Sequence, residues 1–134
     1  MISRYISDSV IVTDLQGSIT YWNEGARAIF GYTAQEMIGN STAVLYPEIV
    51  MAQAEYNLQH ILAGNDYVGE WQGRRKDGAA VWVDVKTTVL RDIQGKAIGL
   101  IGIAKDITAR KQAEERLRQS EKHFRALVEN NAIH

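Results

Sequence analysis

No cysteine occurs in the 134-residue chain. That removes disulfides, thiolate nucleophiles and cysteine-based metal sites at once. A surplus of one charge is also missing: 15 Lys and Arg stand against 16 Asp and Glu, for a net charge of −1. A dedicated nucleic-acid or anionic-membrane binder would show a basic excess. No apolar run reaches the length of a membrane span. The opening "MISRYISDSV" lacks the basic and apolar regions of a secretory signal. The expectation is a cytoplasmic protein without direct membrane or nucleic-acid contact. Proline occurs once, at Pro47, in a connection ahead of a long helical stretch. Ser-His-Asp constellations, phosphate-gripping glycine loops and metal-ligand spacings are absent too. The chain gives no ground for an active site, and the expected class is non-enzymatic.

What is present is core material. Apolar residues make up 46% of the chain, enough for one domain with an extension. Asp14/Gly17, Asp77/Gly78 and Asp92/Gly95 punctuate it. Asp and Gly suit the tight turns of hairpins, and the flanks are rich in Val, Ile, Thr and Trp. This predicts two antiparallel strands at the start and three towards the end. Between them Asn23 is placed to cap "EGARAIF", and Thr33 with Glu36 has capping-box spacing. "MAQAEYNLQHILAG" reads as the longest internal helix, stopped at Gly64. The predicted class is α+β: an antiparallel sheet with helices on one face.

The C-terminal stretch differs. Ala113, Leu117, Ser120, Phe124 and Leu127 recur at heptad spacing, with Ser120 the weak member. Glu114–Arg118 and Glu121–Arg125 have the i,i+4 order that supports a helix. A lone helix of this length is marginal in water, so the seam predicts a partner helix, most simply from a second copy. His123 sits in "HFRALV", without the acid and proline that accompany a phosphoacceptor histidine, and reads as a surface residue.

"SVIVTDLQGSITYWNEGARAIFGYTAQEMIGNS" and "GEWQGRRKDGAAVWVDVKTTVLRDIQGKAIGLIGIAKDITARKQAEERL" resemble the two halves of a PAS domain, from about Tyr5 to Leu117. The resemblance implies a five-stranded antiparallel sheet with helices on one face and a C-terminal linker helix. It implies a sensor domain over residues 5–108 and a helical linker over 109–134. "SEKHFRALVENN" resembles the opening helix of a further such unit. The implied role is sensing and homodimerisation in a bacterial signalling chain such as a histidine kinase, with a diguanylate cyclase or a ligand-free spacer as alternatives. Downstream modules of the same chain would be the partners.

The resemblance also implies residue roles. The Val83 side of "AVWVDVKTTV" would face a pocket lined by Val12, Ile29, Leu45, Tyr56, Ile61, Trp71, Val83, Val85 and Leu100. Tyr56 or His60 would supply polar contact there. Trp82, Ile101 and Ile103 would form an apolar patch on the opposite face, covered by a terminal helix or a second protomer. Asp106, Ile107 and Thr108 would fix the exit angle of the linker. Glu36 and Lys76 would form a structural ion pair. Covalent flavin chemistry is excluded, because Ser41 lies in the region where a cysteine is required. Haem is not expected: Gln53 stands near the helix position that needs a histidine, and His60 comes too late. Non-covalent flavin has little support, since the strand positions that would contact its ring read Val83, Gly73 and Ala104. The cofactor is left open.

Overall fold

Three Asp-Gly turns set the sheet's connections. The Asp14 carboxylate accepts from the N–H groups of Gln16 and Ser18, and Asp92 repeats the arrangement with Gln94 and Lys96. Each turn closes on a glycine at positive φ: Gly17, Gly78 and Gly95. A computed structural model describes residues 8–46 and 51–132. Pro47 and the expected domain start at Tyr5 lie outside the described residues.

The strands are β1 (Ser9–Thr13), β2 (Ile19–Trp22), β3 (Tyr67–Arg74), β4 (Ala80–Arg91) and β5 (Ala97–Asp106). They form one antiparallel sheet in the order β2-β1-β5-β4-β3. Helices α1 (Glu24–Phe30), α2 (Ala34–Met37) and α3 (Met51–Leu62) follow β2, with a short 3-10 turn at Thr42–Val44 before α3. Helix α4 (Thr108–Ala132) leaves the sheet at the end of β5.

Local chemistry explains the helix boundaries. Asn23 Oδ1 accepts from Ala26 N–H at 2.8 Å and from Val10 N–H at 2.9 Å. One side chain therefore caps α1 and ties it to β1. Thr33 and Glu36 form the reciprocal capping box of α2. Helix α1 ends at Gly31, where a left-handed conformation (φ 85°) turns the chain towards the sheet. Arg75 then donates to the Ile29 carbonyl at 2.6 Å, placing a cation at the negative end of α1.

The core lies between the helices and the inner sheet face. Ile11, Ile19, Trp22, Ile29, Phe30, Met37, Leu45 and Val83 are buried there. Trp22 satisfies its indole N–H on the Tyr32 carbonyl at 2.9 Å.

Candidate functional site

Register decides which residues reach the inner face. Ser9 pairs with Ala104, Ile11 with Gly102 and Thr13 with Leu100; Val85 and Thr87 pair with Ala104 and Gly102 from the other side. These residues share one face, because cross-strand partners point the same way. With Thr42 and Tyr46 from the opposite layer they line a partly open cavity of about 200 Å³. A second cavity, of about 170 Å³, lies beside it under α3. Its walls include Ala54, Asn57, Ile61, Tyr67 and Trp71. Tyr46, Val85 and Thr87 border both cavities. The Tyr46 ring packs edge-on against Phe30 at 6.1 Å. Burial raises the Tyr46 hydroxyl's pKa, so it stays neutral at any physiological pH.

The first cavity is unusual in its polar groups. Ser9, Thr13, Thr42, Thr87 and Tyr46 line it together with Ile11, Val85, Leu100 and Ala104, and among the described residues none that lines it is charged. Gly102 leaves its floor open: a Cβ there would meet only the Thr87 hydroxyl oxygen at 3.6 Å and the Ile11 carbonyl at 3.8 Å.

The residues singled out by sequence separate into groups. Ile61, Trp71, Val85 and Leu100 lie on the cavity walls. Ile29, Leu45 and Val83 are sealed in the core beside the cavities. Val12 does not reach the pocket. It pairs with Ile101 and Tyr21, so it stands on the outer face, and Ile11 and Thr13 take the inner positions. Tyr56 does not reach it either: it is 70% exposed and stacks on His60 at 6.2 Å on the solvent side of α3. Asn57 takes the polar place on that wall. Among the described residues these walls carry one amide, Asn57, and no cation.

The outer face carries Val10, Val12, Ile101 and Ile103 in register across β1 and β5. Ile103 is exposed. Helix α4 meets the outer face at Trp82, where Lys111 Nζ sits 4.8 Å above the ring.

The exit from the sheet is fastened by backbone as well as side chains. Trp82 N–H donates to the Thr108 hydroxyl at 3.0 Å, and Ile107 N–H donates to the Trp82 carbonyl at 2.9 Å. Asp106 accepts from Thr108 N–H at 2.9 Å. Ile107 is buried. Thr108 therefore anchors the helix to β4, while Asp106 supplies the cap. Glu70 on β3 adds an ion-pair fork that the sequence reading missed: it binds Arg110 and, at 2.7 Å, Lys111. Its sequence signal is weak, since Glu70 and Arg110 are forty positions apart. On the other side of the domain Lys76 Nζ lies 2.5 Å from Glu36. Along α4, Arg118 pairs with Glu115 rather than Glu114, and Glu114 pairs with Arg110 instead. Among the described residues Glu121 and Arg125 form no ion pair, although their spacing permits one.

The two cations hold the Glu70 carboxyl below the ordinary 4.5, first through the Lys111 hydrogen bond and then through Arg110. A carboxyl depressed in the folded state stabilises above its unfolded value, and that stabilisation is lost as pH falls through the folded one. The fork is therefore complete at neutral pH and released by acid. Carboxyl-carbon NMR is expected to show Glu70 titrating below pH 4.5, with the Trp82 indole signal shifting in the same step. Glu70→Gln should abolish that coupled shift. A Trp82 signal that ignores the Glu70 titration would show that the fork does not hold the helix.

The sequence pattern of the family described as PAS fold matches residues 4–112. The signal transduction histidine-protein kinase AtoS of Escherichia coli is 27% identical over 127 residues, covering 91% of this chain and 20% of that protein. Two-component system protein A of Emericella nidulans is 30% identical over 108 residues, covering 79% of this chain and 16% of that protein. The chain thus spans a fifth or less of the length of these relatives. The crystal structure of a PAS domain from Colwellia psychrerythraea superposes with a TM-score of 0.72 at 28% identity, covering 78% of this chain and 90% of that one. Among the described residues no helix is long and apolar enough to cross a membrane.

Proposed function

Since the chain belongs to the PAS-fold family and resembles the sensor domains of histidine kinases, we propose that it is the sensory module of a larger cytoplasmic signalling protein. A sensor domain of residues 5–108 passes its state to a linker of residues 109–134, and the linker feeds a kinase or a cyclase in the same chain. Two copies pair through the α4 seam, with the apolar outer strip of the sheet as a further contact. The observation that carries this reading is the position of β4. Its inner face, through Val85 and Thr87, borders both cavities. The same strand, at Trp82, is hydrogen-bonded to the first residues of the exit helix. A ligand that favours one position of β4 biases the helix in the same step. A tenfold difference in affinity for the two positions corresponds to about 1.4 kcal/mol of bias.

The test is thermal unfolding of the purified chain with and without fractionated cell metabolites. A ligand at one hundred times its Kd stabilises by about 2.7 kcal/mol. A fraction that raises the melting temperature is expected to lose its effect on Gly102→Leu, which fills the cavity floor. If no fraction has any effect, the domain is a structural and dimerising spacer.

A further inference from the structure

The seam of α4 has one more layer than its apolar residues show. Leu117 and Phe124 are one heptad apart, and one heptad before Leu117 stands Arg110. Arg110 lies only about 20° round the helix from Leu117, whereas Lys111 lies about 120° away, on the side that meets Trp82. An arginine at a core position of a paired helix faces its own twin, and the two charges repel. Here Arg110 is bound to Glu70 of β3 and, at 3.4 Å, to Glu114. Glu70 stands opposite Asp84 across the strands, so the sheet presents an acidic pair at the root of the helix. Like charges placed directly opposite are destabilising, and the cations of α4 offset them.

Further along, two exposed charges have no partner. Among the described residues Arg116 and Glu121 form no ion pair. They occupy the two positions that flank the seam, five residues apart. That is the spacing at which one helix meets the next in a parallel pair, so each Arg116 would reach Glu121 of the other copy. An antiparallel copy would instead set the acids Glu114 and Glu121 face to face.

We infer that α4 takes a parallel second copy of itself, that Arg110 forms the first layer of that interface, and that Glu70 is the positioning residue that lets this layer close. The inference rests on the sensory reading and adds how the sheet reaches the seam. Glu70 neutralises Arg110, and the layer then holds two carboxylates around two guanidinium groups. Without Glu70 the helix roots are pushed apart. Strand β3 is at the edge of the sheet, and Trp71, next to Glu70, lines the cavity under α3. The strand that borders the cavity therefore also carries the neutralising carboxylate.

The experiment is sedimentation equilibrium of the 134-residue chain at low and high salt. Glu70→Gln is expected to weaken the dimer about tenfold at low salt, since each dimer loses two modest ion pairs. The loss should shrink at high salt, where the repulsion is screened. Arg110→Leu added to Glu70→Gln should restore the dimer to wild-type strength or better. A glutamate that merely pins the helix to its own sheet would give no such rescue. Arg110→Leu alone should also tighten the dimer, which keeps the test independent of how well Glu70→Gln folds. Because the chain has no cysteine, Ala113→Cys reports orientation cleanly. It is expected to cross-link on mild oxidation, as Ala113 meets its twin only in a parallel pair. Arg116→Glu should weaken the dimer, and adding Glu121→Arg should restore it.

A dimer unchanged by Glu70→Gln, or one that Arg110→Leu does not rescue, overturns the role of Glu70 and leaves the sensory reading intact. A dimer that forms while Ala113→Cys stays uncross-linked overturns the parallel arrangement. A wild-type chain that remains monomeric overturns the whole inference, and sensing is then decided separately by the metabolite fractions.

Discussion

Replacing Gly99 by alanine is expected to destabilise the domain by about 3 kcal/mol, the upper end of the range for overpacking a well-filled site. A Cβ on Gly99 would lie 2.2 Å from the Thr13 carbonyl oxygen and 3.3 Å from its carbon. Those atoms are backbone and cannot rotate away. They are also held in place, because Thr13 pairs with both Ile19 and Leu100 and the Asp14 turn follows at once. For a domain of this size the loss lowers the melting temperature by on the order of 10 °C. Gly102, on the same strand, is the control. Its Cβ would make only ordinary contacts, so Gly102→Ala should be neutral or gain about 0.5–1 kcal/mol from the stiffer strand. Circular dichroism melts of the two variants check the contrast. Equal melting temperatures would mean that β1 and β5 yield to one another, and that the cavity floor is no more open than the rest of the ladder. The contrast matters for function because one glycine makes room for a neighbouring backbone and the other leaves room that the protein does not fill.

Most of the fold was legible because its punctuation is local. An Asp carboxylate bonding to amides two and four residues on is written in the Asp14 and Asp92 turns themselves, and a capping box needs only Thr33 and Glu36. The five strands and the order of helices follow from that punctuation. Which face a strand turns inward is less local. In "SVIVT" the three central residues are all apolar, so alternation has no phase, and only pairing with β5 shows that Val12 is outside and Ile11 inside. The polar ends of β1 carried the missing signal. Ser9 and Thr13 share a parity with Ile11, and a buried sheet face bearing hydroxyls at both ends is what a polar-edged cavity requires.

The error at Tyr56 could have been avoided from helix geometry. Tyr56 and Ile61 are five positions apart, or about 140° around a helix, and cannot face the same cavity. Ala54 and Asn57 precede Ile61 by seven and four positions, which places them on its face, and both line the cavity. The Glu70 fork was not legible in this way. It joins the middle of β3 to the start of α4, and neither segment indicates how the helix leaves the sheet until Thr108 is seen bonded to Trp82. Charged residues on exposed strands have many possible partners, and their choice is fixed by tertiary placement alone.

The seam of α4 makes the other large prediction. Past its first turns this helix runs clear of the sheet, and Leu117, Phe124, Leu127 and Val128 are exposed, Phe124 at 68%. A 25-residue helix is about 37 Å long and carries this apolar stripe exposed among the described residues. Burying Leu117, Phe124 and Leu127 in a parallel copy would contribute roughly 1.5–3 kcal/mol for each side chain. The surplus over the entropy of association sets the affinity. The wild-type chain is therefore expected to dimerise in sedimentation experiments, and Leu117→Glu with Phe124→Glu to weaken the dimer at least a hundredfold. Helical circular dichroism should fall in the same variant, because an unpaired helix of this kind is marginal, while the sheet's melting transition persists. Ile103→Lys separates the two candidate contacts. If that change dissolves the dimer and the double glutamate variant does not, the outer sheet face holds the copies together and α4 carries no pairing. A wild-type chain that stays monomeric at high concentration would remove the seam as a route for the signal, since a helix free in solution has no partner against which a shift of β4 could register.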